Sequence, residues 1–223
     1  MTYTVPKNAD PVRLSELVCA RLCHDLAGPL SPLAGMVELA REDPAAIGEA
    51  LSVVEDAAAE MGNRLRLLRA AWTGDGGEMN SAGLRALANG LPNVRRLRLV
   101  FDIAAPTALS AGMARVALNL LLLAAESLPL GGTIRLSGDS ASELLLRIEG
   151  HRAAWPAGLS GMLSDEAAAW TALDSPRTLQ APLTALTARN LGLRLSMLIG
   201  IGEAGAAPPL LLTATPQLSG NKI

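Results

Sequence analysis

Residues 10–30 read DPVRLSELVCARLCHDLAGPL, and the fold follows from taking them as the first part of one long helix. Asp10 followed by Pro11 is an N-cap with proline at the first helical position, where a missing N–H costs nothing. No further proline appears until Pro29, so a helix is predicted from Pro11 to about Arg41. Along it Val18, Leu22, Asp25/Leu26, Pro29, Leu33 and Met36 recur at threes and fours and mark one packing stripe. Arg41-Glu42-Asp43-Pro44 breaks the pattern and starts a second helix that runs to about Trp72. Its apolar side carries Ile47, Leu51, Val54, Ala58, Met61, Leu65 and Leu68. Helices of roughly 30 residues are about 45 Å long.

A two-helix hairpin of that length cannot cover both stripes by itself. The expected solution is a homodimer that forms a four-helix bundle. Thr73-Gly74-Asp75-Gly76-Gly77 breaks the helix and marks the domain boundary. A helical hairpin is therefore expected in residues 1–73 and a second domain in 78–223.

Beyond the boundary helix-like and strand-like segments alternate. Helices are predicted at Ser81–Asn89, Ser110–Leu128, Asp165–Leu173 and Leu183–Asn190. Strands are predicted at Arg96–Ile103, Thr133–Ser137, Glu143–Glu149, Leu193–Ile199 and Leu210–Thr215. This is an α+β sandwich of helices on one mostly antiparallel sheet. Gly200-Ile201-Gly202-Glu203-Ala204-Gly205 matches a dinucleotide-binding pattern, but a Pro208-Pro209 pair and another strand follow where a helix is needed. It reads as a glycine-rich turn between strands.

Composition narrows the function classes. Of 223 residues, 50% are hydrophobic and 2% aromatic, with a net charge of −2. Ala, Leu and Val suit packed helices more than an aromatic-lined ligand pocket. Without a basic run or stacking aromatics, a nucleic-acid partner is not expected, and a protein partner is. No apolar run spans a bilayer, and Met1–Asp10 lacks a signal-peptide core, so a cytoplasmic protein with no membrane contact is expected. Cys19 and Cys23 read as reduced, small apolar residues.

The chemistry centres on His24, since the other histidine, His151, lies far away among strand-like residues. On a helix its neighbours are Ala20, Arg21, Ala27 and Gly28, with Leu17 and Ser31 a turn further out. Apart from Arg21 and Leu17 this is a small-residue surface from which the imidazole stands proud, and these six positions form the expected partner-docking face. A largely neutral imidazole is a competent nucleophile toward phosphorus, and Asp25 can accept the proton of its other nitrogen and orient the ring. Pro29 removes a hydrogen bond one turn later. Arg21 reads equally as a helper in docking or charge stabilisation and as a solvated side chain. A metal site from Cys19, Cys23 and His24 lacks a fourth ligand.

His24-Asp25-Leu26-x-x-Pro29-Leu30 resembles the H-box of two-component histidine kinases. In those proteins the hairpin dimerises, the histidine carries the phosphoryl group, and a Bergerat-type ATP-binding domain follows. The second half of this chain is similar in its order of elements, but its nucleotide motifs are degenerate. Arg115 to Ala124 resembles the kinase N-box, yet the Mg²⁺-binding asparagine falls at Leu123, which cannot ligate a hard cation. Glu149-Gly150-His151-Arg152-Ala153 stands where an Asp-x-Gly-x-Gly loop belongs.

The combination resembles the alphaproteobacterial histidine phosphotransferases of the ChpT type. That resemblance implies a dimeric, ATP-independent relay that takes phosphate from the receiver domain of a hybrid histidine kinase and passes it to response regulators. It carries the phosphoacceptor role to His24 and the acidic neighbour to Asp25. It implies no intrinsic cofactor, with Mg²⁺ supplied by the partner receiver domain. A non-catalytic dimeric scaffold and an ATP-dependent kinase are the alternatives.

Overall fold

The computed structural model describes residues 9–104, 108–198 and 205–214. Helix α1 (Pro11–Glu42) begins where the Asp10 carboxylate accepts from the Arg13 amide at 2.9 Å, and it continues unbroken through Pro29. Asp43 closes it and at once caps the next element by accepting from the Ala45 amide at 2.8 Å. A short 3₁₀ turn, Pro44–Ala46, leads into α2 (Ile47–Leu68). A π-helical turn over Arg69–Thr73 then ends at Gly74, whose φ of 84° is left-handed and suits glycine.

The antiparallel helices meet through small residues. Ala50, Ala57 and Arg64 form the buried stripe of α2, while Ile47, Leu51 and Leu65 are exposed. The apolar side expected from the sequence is therefore largely uncovered in the single chain, because the tight approach of α1 selects side chains that fit between backbones over those that are most apolar. Leu30 and Val37 of α1 are also exposed. So are both cysteines, Cys19 and Cys23, which are free thiols.

After α3 (Ser81–Ala88) comes β1 (Leu97–Ile103), then α4 (Ala111–Glu126), β2 (Gly132–Ser140) and β3 (Glu143–Glu149). Short helices α5 (Leu159–Ser164) and α6 (Glu166–Thr171) precede α7 (Gln180–Asn190), β4 (Leu193–Met197) and β5 (Leu210–Ala214). The sheet order is β1-β2-β3-β5-β4, with β1 parallel to β2 and the other neighbours antiparallel. Ile134 and Leu136, Leu144, Leu146 and Ile148, and Leu210 and Leu212 alternate inward as a pleated sheet requires. They pack beneath α4, which is buried along almost its whole length.

Beyond shifts at strand ends, such as β2 running to Ser140, two helices differ from expectation. Asp165 caps α6 by accepting from the amides of Ala167 and Ala168, but α5 precedes it, unanticipated because Gly158 and Gly161 interrupt its pattern. Helix α7 starts at Gln180, three residues earlier than expected, with Pro182 in its first turn, where no backbone donor is needed. The glycine-rich turn at 200–204 lies outside the described residues, as do the outer ends of the last two predicted strands.

Two apolar clusters join the hairpin to the second domain. Leu67, Leu68, Ala70 and Ala71 enter the main core with Leu84, Leu118 and Leu121. Near the start of α1, Leu17 packs with Ala169, Leu173, Leu179, Ala185 and Leu186. Residues 74–77 are thus a turn between joined bodies. Among the described residues no helix is long and apolar enough to cross a membrane.

Candidate functional site

Helix α1 turns His24 outward, with its side chain 68% exposed, and Asp25 inward, 9% exposed. The His24 Nδ1 lies 3.3 Å from Asp25 Oδ1. An ionised carboxylate only accepts, so this contact favours the tautomer with hydrogen on Nδ1 and leaves the Nε2 lone pair toward solvent. Ala20, Ala27, Gly28 and Ser31 are exposed on the same helix, and a Cβ added at Gly28 would meet nothing.

Two expected docking residues behave otherwise. Leu17 is 2% exposed, covered by α6 and α7, and is part of the domain junction. Arg21 is also buried. Its Nε donates to Asp25 Oδ1 at 2.9 Å, Nη2 to Glu126 Oε1 at 2.5 Å and Nη1 to the Pro176 carbonyl at 3.1 Å. It is neither a solvated side chain nor a docking contact, but a clamp from α1 to the end of α4. Both corrections have one cause: the second domain covers the N-terminal half of the face that carries His24, which a helical wheel cannot register.

One guanidinium is shared here by two carboxylates. Burial alone would lower Arg21, but Glu126 and Asp25 outweigh it and hold it above the ordinary arginine value. For Glu126 burial outweighs the attraction of Arg21, and its carboxyl is pushed up. A second buried cation, Arg64 of α2, stands nearby; burial lowers it, against the attraction of Asp25 and Glu60. Asp25 Oδ2 is buried without a hydrogen-bond partner.

His24 stands between two clefts. One, of about 540 Å³, is lined by Asp25, Ala57, Glu60 and Arg64 among others; the second, of about 940 Å³, runs along Ala20, Arg21, Glu126 and Pro176. Pro92 and Asn93 border both. Their loop is held close to α2 at Gly90, where a Cβ would collide with the Asn63 carbonyl. Asn93 adopts φ 54°, a left-handed conformation, and makes no side-chain cap to the turn it opens. A further cavity, about 1040 Å³ between α5, α7 and β4, shares no residue with either cleft.

Asn119 and Leu123, the positions that resemble a nucleotide-binding helix, lie elsewhere. Leu123 is fully buried. Asn119 Nδ2 donates to the Ala71 carbonyl at 2.7 Å and to the Arg115 carbonyl at 3.0 Å, and its Oδ1 accepts from Gln180 at 3.0 Å. Arg115 donates to the carbonyls of Ala71 and Trp72. These side chains cap the carbonyl end of the second hairpin helix. Among the described residues no group of three or more His, Cys, Asp or Glu is arranged to hold a metal.

Sequence reasoning passed over Arg64, Glu126 and Asn93. For Arg64 a signal existed: it continues the Ala50–Ala57 row at heptad spacing, a charge on a face that packs. Glu126 and Asn93 carry no such signal, because only the docking of the second domain brings them to His24.

Fold and site define a class: a hairpin that presents one exposed histidine, braced by an α+β domain with a mixed sheet. The chain belongs to the histidine phosphotransferase family, for the description "Histidine phosphotransferase C-terminal domain" matches residues 81–200, more than half of its length. That match falls on the second domain and leaves the hairpin with His24 outside it. A curated relative, the protein phosphotransferase ChpT of Brucella abortus (strain 2308), is 26% identical over 203 residues, 87% of this chain and 94% of the relative. A bacterial phosphotransferase structure superimposes with a TM-score of 0.71 at 20% identity, over 94% of this chain and all of that one. The cytoplasmic segment of the histidine kinase QseC gives a TM-score of 0.38 at 13% identity, over 73% of this chain and 93% of that chain.

Proposed function

We propose that this chain relays phosphoryl groups between receiver-domain aspartates through His24, as a homodimer and without binding ATP. The observation that carries the reading is the exposed imidazole, with Nδ1 against Asp25 and Nε2 free, at the lip of two clefts. The Nε2 lone pair forms the N–P bond while the bond from phosphorus to the receiver's aspartyl oxygen breaks and its electron pair returns to that carboxylate. The proton stays on Nδ1 toward Asp25, whose charge balances the imidazolium that results. Such a loose in-line transfer asks for positioning and charge stabilisation more than for covalent help from the protein. Mg²⁺ belongs to the receiver, and the partners are the receiver domain of a hybrid histidine kinase and response regulators.

Two further observations support the finer parts. Leu30, Val37, Ile47, Leu51 and Leu65 form an exposed apolar surface along the hairpin, suited to a second copy of the same hairpin. Asn119 is engaged in internal hydrogen bonds and Leu123 offers no oxygen, which supports ATP independence. Labelled phosphate transfer from a phosphorylated receiver is the test. Wild type is expected to accept label and His24→Gln to accept none. Undiminished labelling of the variant refutes the reading. Receiver binding without any transfer by wild type would favour a scaffold, and labelling from ATP alone would favour a kinase.

A further inference from the structure

Arg64 is 8% exposed, and among the described residues its guanidinium makes no hydrogen bond and no ion pair. Burial disfavours its charge, and the attraction of Asp25 and Glu60 offsets this only in part. The carboxylate best placed to neutralise it, Asp25, has Oδ1 committed to Arg21 and His24, while Oδ2 has no partner. Arg64 lines the cleft that contains His24, and the residues one and two heptads before it are Ala57 and Ala50, so nothing bulky on its own stripe of α2 stands in front of it. The cleft also holds Asp56, Glu60 and Arg95. Asp56 pairs with Arg95 at 3.4 Å, which leaves Arg64 as the uncommitted cation of this cleft among the described residues.

We propose that Arg64 is the phosphoryl-binding residue of this site: when His24 carries the phosphoryl group, the guanidinium turns along the cleft and holds its oxygens. This deepens the reading of His24 as phosphoacceptor and rests on it. A guanidinium presents paired N–H donors that match two phosphoryl oxygens, and the arriving dianion supplies the charge that Arg64 lacks. The small Ala50–Ala57 surface leaves room for the rotation. Asp25 orients the imidazole, Arg64 reaches the transferred group along the cleft, and Arg21 fixes Asp25.

The test uses the full chain and potassium phosphoramidate, whose P–N bond breaks as ammonia leaves and the Nε2–P bond forms. Phosphorus NMR then follows the ionisation of the phosphoryl group on His24 against pH. Asp25, Asp56, Glu60 and Arg95 face the same space and are unchanged in every variant. Arg64→Gln is expected to raise the pH of phosphoryl ionisation by about one unit, because a nearby cation favours the doubly charged form. Arg64→Lys, which keeps the charge and loses the fork, should fall between. Superimposable titrations of wild type and Arg64→Gln overturn the assignment while leaving His24 as phosphoacceptor. No phosphohistidine in wild type, or an equal signal in His24→Gln, overturns both. If Arg64→Gln does not fold, the Nε–H proton signal of Arg64 in wild type decides: it should move downfield on phosphorylation, and an unmoved signal overturns the proposal.

Discussion

Two polar clusters lie in the interior of this molecule, and they are built on opposite principles. Around Asn119 the side-chain donors of Asn119, Gln180 and Thr184 are all matched, by one another and by the carbonyls of Ala71, Arg115 and Gln180. Around His24 the cluster is left incomplete, with Asp25 Oδ2 unpartnered, Arg64 out of contact and one guanidinium serving two carboxylates. A saturated network fixes a structure, and an unsaturated one holds capacity for something that arrives. The same contrast holds for apolar surface. The sheet domain covers its leucines, and the hairpin leaves Leu51 55% exposed.

The largest effect should come from breaking the closed cluster. Asn119→Leu removes the side-chain hydrogen bonds to the Ala71 and Arg115 carbonyls and from the Gln180 amide, and it is expected to cost about 3 kcal/mol in denaturant unfolding. Phosphate acceptance per folded molecule should stay unchanged; its loss in a folded variant would end the division between the clusters. In the open cluster Arg21→Ala releases α1 from Glu126 and the Pro176 carbonyl and takes from Asp25 its arginine partner. Roughly 2 kcal/mol of stability should be lost, and labelling of His24 should slow severalfold as Asp25 loses its anchor. A variant slowed in labelling but not destabilised would mean that Arg21 does not clamp the domains.

On the exposed hairpin face, Leu51→Glu should weaken self-association at least tenfold, about 1.4 kcal/mol, in analytical ultracentrifugation. Equal association by variant and wild type would remove this face as the dimer contact. The smallest effect concerns Glu126. Its carboxyl is raised above the usual value of 4.5, so its contribution to stability is full below that pH and is lost as pH rises through the raised value. Glu126→Gln keeps an acceptor for Arg21 without the charge. The melting temperature of wild type relative to this variant should therefore fall from about pH 4 upward, and a relative rise would reverse the assigned direction.

Much of the scaffold is legible in the sequence because its signals are local. Asp10-Pro11 and Asp43-Pro44 cap helices through their own side chains, and the strand Glu143–Glu149 alternates inward at Leu144, Leu146 and Ile148. Helix α5 escaped because its glycines hide the period, and its place is set by the burial of Leu159. Leu17 and Arg21 were misassigned for a different reason. The residues that cover them, such as Leu173, Leu179 and Glu126, are more than a hundred positions away in the chain.

The chain alone determined that α1 is helical, that His24 and Asp25 are neighbours on it, and that a glycine-rich turn follows the hairpin, since each depends on residues within a few turns of one another. Tertiary structure decided which side of α1 remains open, that Arg21 locks the domains together, and that Arg64 reaches the histidine's cleft without a partner of its own. Those properties arise from packing between distant segments and from the balance of buried charge, and periodicity along one helix carries no record of either.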